Sequence, residues 1–216
     1  MRYRRAARGG GFSIVLKSGL PIYAFATAAA WEAWLAEQPR TTPGLWLKLA
    51  KKNAGTPSIT KQEAIDGALC HGWIDGQLDK FDDRYWLIRF TPRRARSKWS
   101  QVNRERAEAL MAQGRVTPAG LAEIEAAKAD GRWLAAYAPQ SKAAVPDDLG
   151  RALDAAPAAR ALFDRLDATN RYAILYRVHD ARTEATRTAR IEKFVAMLAR
   201  GETLYPPRSK RPRVGR

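Results

Sequence analysis

The chain has one cysteine and two histidines in 216 residues. A lone cysteine excludes an intramolecular disulfide and any zinc site built from several cysteines. It fits a reducing compartment, so the expected location is the cytoplasm. No apolar run reaches the roughly 18 residues that a membrane-crossing helix needs, so no transmembrane segment is expected. Arg4 and Arg5 precede an apolar stretch, as in a signal peptide. Lys17 and Pro21 interrupt that stretch, however, and Trp31 and Trp34 open what reads as domain structure. Acidic residues are missing from both ends. Residues 1–17 carry Arg2, Arg4, Arg5, Arg8 and Lys17 and no acid, and residues 206–216 carry Arg208, Lys210, Arg211, Arg213 and Arg216 and no acid. Removing these ten groups from the net charge of +16 leaves +6 for the rest. The basic ends imply non-specific affinity for nucleic acid or anionic surfaces.

The body of the chain is ordinary for a soluble globular protein, with 46% hydrophobic and 28% charged residues. Its length suffices for a sizeable core. Seven tryptophans argue for packing against disorder. Three of them lie in residues 64–103, together with the cysteine, one histidine and five arginines.

The order of elements is legible from spacing. Residues 1–11 read as a disordered basic arm ending in three glycines. Residues 12–16 read as a short strand. Thr27 is an N-cap for a helix over 28–37 with Trp31, Trp34 and Leu35 on one face. Leu45, Leu47 and Leu49 alternate as in a strand. Thr60 and Glu63 form a capping box for a helix that Gly72 stops. Residues 73–80 and 84–91 form a hairpin, which Pro92 ends. Beyond it the pattern is helical. Ser97 or Ser100 caps a helix ending at Gly114, and Thr117-Pro118 starts another that Gly131 closes. Further helices follow from Pro146, from Pro157, near 170–180 and near 183–200. The expected fold class is α+β: a small antiparallel N-terminal sheet with helices, followed by an all-helical C-terminal half. The expected organisation is a disordered arm at 1–11, an α+β domain at 12–136, a helical region at 137–205 and a disordered basic tail at 206–216.

The motifs ALCHGWIDG at 68–76 and RFTPRRARSKWSQVN at 89–103 resemble the YdeI/OmpD-associated family of bacterial proteins, also called bacteriocin-protection-like. The resemblance continues through TPAG at 117–120, AKADGRW at 127–133 and EATRTARI at 184–191, and spans roughly residues 31–201. It implies no established reaction and no cofactor. The family usually has an aromatic or apolar residue where this chain has His71, which speaks against a catalytic His71.

Several residues could carry chemistry. Cys70 and His71 are neighbours at a helix end. Adjacent helical residues diverge by about 100°, which suits a nucleophile pair poorly. The imidazole would sit at the helix C-terminus, where its positive form is favoured. Asp75 shares a strand face with Trp73 and is expected to pair with Arg89 across the hairpin. Arg93, Arg94, Ser97, Trp99, Ser100 and Asn103 follow a strand end and open a helix. Arginines beside free helix N–H groups make an anion site, and Trp99 offers a ring for stacking. The candidate ligand site is therefore Asp75, Arg89, Arg93, Arg94, Ser97, Trp99, Ser100 and Asn103, with no metal site and no assigned catalytic residue. The leading reading is a protein that binds an anionic small molecule or a protein partner there. The alternatives are a nucleic-acid module using the basic ends and Trp99, and a small enzyme using Asp75 or Cys70.

Overall fold

The computed structural model describes residues 4–6 and 14–206. The rest of the expected basic arm and nearly all of the expected tail lie outside the described residues. The chain forms two compact units, Met1–Ala136 and Tyr137–Arg216. The α+β class is as expected, with the sheet in the first unit and helices alone in the second.

The first unit holds a six-stranded sheet in the order β1-β2-β3-β4-β6-β5. Its strands are β1 (Arg4–Ala6), β2 (Ile14–Lys17), β3 (Leu20–Tyr23), β4 (Leu45–Ala50), β5 (Trp73–Lys80) and β6 (Tyr85–Pro92). Residues 4–6 were expected within a disordered arm and instead pair with β2. β2 and β3 turn at Ser18 and Gly19, both at positive φ (50° and 78°), the backbone of a two-residue hairpin. The sheet is not wholly antiparallel: β3 and β4 run parallel, Ile22 opposite Trp46. The segment between them holds α1 (Ala28–Ala36), the kind of crossover that a parallel pair requires.

Leu45, Leu47, Leu49, Ile88, Phe90 and Trp73 turn one face of this sheet into a core with Trp31 and Leu35 of α1 and with Ala64 and Ala68 of α2 (Lys61–Cys70). Trp31 stacks on Trp34, its rings 5.6 Å apart, and donates from Nε1 to the Ala64 carbonyl at 3.0 Å. Gly67 makes that approach possible, because a Cβ there would lie 2.9 Å from the Trp31 ring. The expected capping box of Thr60 and Glu63 starts α2. α3 (Gln101–Ala112) and α4 (Pro118–Ala129) pack with the end of α2 in a second cluster of Leu69, Leu110, Ile124, Trp99 and Trp133. Buried Asp66 ties α2 to α3. Burial opposes its charge, but hydrogen bonds from Arg106 and Gln62 outweigh burial and hold its carboxyl below the usual range.

The second unit consists of α5 (Asp147–Asp154), α6 (Pro157–Arg165), α7 (Ala168–His179) and α8 (Glu184–Ala199). Leu149, Leu153, Phe163, Ile174, Val178, Phe194 and Leu198 form its core. Arg187 of α8 grips Asp148 of α5 through both carboxylate oxygens, one at 2.8 Å, and donates to the Val178 carbonyl at 3.1 Å.

Candidate functional site

The hairpin β5–β6 decides where the expected site residues go. Asp75 stands opposite Phe90 and Leu78 opposite Ile88. Gly76 and Gln77 therefore face Arg89 alone, which is a β-bulge. The expected ion pair of Asp75 with Arg89 is not formed. Successive residues of a strand point to opposite faces, so the residue beside Phe90 is turned away from Asp75. Asp75 instead accepts a long hydrogen bond, 3.4 Å, from the Asn103 amide of α3. Arg89 lies on the other face with Thr91, opposite Trp46 of β4.

The arginine-rich connection after β6 also divides. Arg93 continues the strand line, donating its N–H to the Gly72 carbonyl at 2.9 Å. Its side chain is 3% exposed and lies over the Trp99 ring, with a further bond from Nη1 to the Lys98 carbonyl at 3.2 Å. Trp99 is itself 2% exposed and packs edge-on against Trp133 at 4.7 Å. An indole enclosed between a guanidinium and a second indole has no face for a nucleobase, so the stacking platform expected of Trp99 is absent. The two serines serve the backbone. Ser100 accepts from the Asn103 N–H at 3.1 Å as the N-cap of α3, and Ser97 accepts from the Arg94 N–H at 2.9 Å. Arg132 donates to the Ser97 carbonyl at 2.8 Å and fastens this loop to the end of α4.

The Arg94 side chain, on an exposed residue, takes no part in that fastening. With Arg89, Thr91, Gly76 and Gln77 it lines a shallow cleft of about 290 Å³ at the bulge. No acidic residue lines it. Among the described residues, neither the Arg89 nor the Arg94 guanidinium has a hydrogen bond or ion pair, and the Arg89 Nε is fully buried without an acceptor. Of the eight expected site residues, the structure thus brings Arg89 and Arg94 together. Asp75 and Asn103 meet elsewhere, and Arg93, Ser97, Trp99 and Ser100 hold the loop. Gly76, Gln77 and Thr91 were not foreseen. A glycine inside a strand pattern, Gly76, is the local signal by which the bulge could have been found.

The nucleophile alternative fares poorly. Cys70 is 1% exposed, and burial pushes its thiol up to about 11. A thiol so placed is a core side chain. His71 is the C-cap of α2. Burial pushes its pKa down, against the helix-end effect expected for it, so the imidazole is neutral near pH 7. Among the described residues, no group of three or more His, Cys, Asp or Glu side chains is gathered as a metal site requires. No helix in the described residues is long and apolar enough to cross a membrane.

Residues 23–123 match a domain of unknown function (DUF8412). Most of the motifs that carry the family resemblance fall in that stretch. No curated protein and no solved structure matches the chain. Residues 142–201 match the family described as bacteriocin-protection, YdeI or OmpD-associated. Over residues 142–201 the chain is therefore similar to the YdeI/OmpD-associated family, the family that the motifs between residues 68 and 191 resemble.

Proposed function

We propose that the first unit binds a small anion, such as a phosphate or carboxylate group, in the cleft at the β5 bulge. The observation that carries this reading is the pair of guanidinium groups, Arg89 and Arg94, lining one cleft without a carboxylate to neutralise them. A guanidinium with no carboxylate partner gains a charge-assisted hydrogen bond from a bound oxyanion. Thr91 adds a hydroxyl donor, and the bulge opens the strand pairing beside it. Arginine suits the task because its planar fork matches carboxylate and phosphate oxygens two at a time. The arrangement holds no nucleophile or general base, so the reading is of a binding module. Its location in the cytoplasm belongs to the same proposal, supported by the buried, unbridged Cys70.

Titration of the full chain with inorganic phosphate at low ionic strength, followed by calorimetry or amide NMR, tests the reading. Saturable binding is expected, weakened about tenfold by Arg89→Gln and by Arg94→Gln, a loss of the size of one charge-assisted hydrogen bond. Arg96→Gln, an exposed neighbour outside the cleft, should leave it unchanged. Equal weakening by all three substitutions would reduce the effect to bulk positive charge and overturn the proposal.

A further inference from the structure

We propose that a second cleft in the first unit, lined in part by His71, binds a small, uncharged, largely apolar molecule through one hydroxyl group. This cleft has a volume of about 320 Å³, within the range of small-molecule sites. Its apolar walls are Leu35 at the end of α1, Trp73 at the start of β5, Pro92 at the end of β6 and Pro118 at the start of α4. It shares no lining residue with the arginine cleft, so the two proposals stand or fall separately.

The walls are held in place. The Cys70 carbonyl accepts from the Thr117 N–H at 3.0 Å and from the Thr117 hydroxyl at 2.8 Å. Two glycines let α2 and α4 meet here. A Cβ on Gly120 would lie 2.3 Å from the Cys70 carbonyl oxygen, and a Cβ on Gly72, at φ +74°, would lie 2.9 Å from that of Ala119. A cleft bounded by such contacts is preformed, which lowers the entropic cost of filling it.

The polar groups define the ligand. The His71 side chain makes no hydrogen bond or ion pair with any described residue. A neutral imidazole supplies one N–H donor and one bare nitrogen acceptor. A hydroxyl, which both donates and accepts, suits either nitrogen. Arg40 at the rim is already paired with Glu123, so the cleft has no unmatched charge to attract an ion. Gln38 donates its amide to the Trp34 carbonyl at 3.0 Å and is likewise engaged. An apolar molecule with a single hydroxyl therefore satisfies the imidazole without bringing a charge that the cleft leaves unmatched.

Phenol and toluene are suitable probes, because they differ in the hydroxyl alone. The imidazole resonances of His71, assigned by their absence in His71→Leu, would be followed by NMR in the full chain. Phenol should shift them saturably and bind at least fivefold more tightly than toluene. His71→Leu should abolish that preference while toluene still binds. Ala36→Trp, at an exposed position lining the cleft, should block both ligands with the fold unchanged. It decides the matter if His71→Leu fails to fold. No saturable shift at millimolar phenol, equal affinity for both probes, or full binding in Ala36→Trp would overturn the proposal.

Discussion

Arg93 lies over the indole of Trp99, its guanidinium carbon 3.5 Å from the ring centroid. Both side chains are nearly sealed from solvent, at 3% and 2% exposure. A stacked, desolvated guanidinium is worth on the order of 2 kcal/mol. The pair therefore acts as a rivet for the loop between β6 and α3. It encloses Arg93, so the anion site proposed at the bulge rests on Arg89 and Arg94 alone.

Truncation of this rivet should be felt in stability. Trp99→Ala should cost about 3–5 kcal/mol in urea unfolding, as for other large buried aromatics. Trp73→Ala, 3% exposed in the sheet core, should cost about the same. Arg93→Lys should not restore the wild-type midpoint, because an ammonium cannot reproduce the flat stacking of a guanidinium. A change within about 0.5 kcal/mol for either tryptophan would place it outside the core.

Cys70 should be inert in the native protein. With its thiol at about 11 and the side chain 1% exposed, almost no thiolate is presented at pH 8. Reaction with a thiol reagent at pH 8 should be slow and should accelerate in step with unfolding as urea is added. Prompt labelling in the absence of denaturant would contradict the packing of α2 against α3 and α4.

The second unit should lose stability in acid through Asp148. The hydrogen bonds from Arg187 hold its carboxyl down at about 2, against an ordinary 3.8. A depressed carboxyl stabilises the fold above its unfolded pKa, and that contribution disappears as pH falls through the folded value. The loss therefore falls between about pH 4 and pH 2. The carboxyl is 35% exposed, so solvent screening reduces the effect to about 1 kcal/mol. Asp148→Asn should lower stability by that amount at pH 7 and flatten the pH profile in this window. The two profiles should converge near pH 2.

Gly120 should not tolerate a side chain. A Cβ there would meet the Cys70 carbonyl oxygen at 2.3 Å, and backbone cannot yield cheaply. Gly120→Ala should destabilise by about 1–3 kcal/mol, although alanine is the better helix former. Gly150, in α5 with open space around its α-carbon, supplies the contrast. Gly150→Ala should be neutral or stabilising by up to about 1 kcal/mol, as measured by the unfolding midpoint.

Much of the fold was legible because its signals are local. Thr27, Thr60, Ser100 and Thr117 each cap the helix expected of them, and Pro118 and Pro157 stand at helix starts. The alternation of Leu45, Leu47 and Leu49 placed β4, and the hairpin limits were read to within a residue. The strand expected at residues 12–16 corresponds to β2, while its hairpin partner β3, only four residues long, was not expected despite the Ser-Gly pair before it.

The candidate site was a different matter. Sequence alone determined that arginines cluster after a strand and that a cysteine and a histidine end a helix, since composition and short-range spacing reside in the chain itself. Tertiary structure decided which of them are used. The bulge at Gly76 and Gln77 sets the register that turns Arg89 away from Asp75, and packing encloses Arg93 and Trp99 while Arg94, one residue on, stays in solvent. Strand register, the direction of neighbouring side chains and the parallel pairing of β3 with β4 depend on contacts between residues far apart in sequence. Those contacts are selected by the burial of the whole core, and no local pattern encodes them.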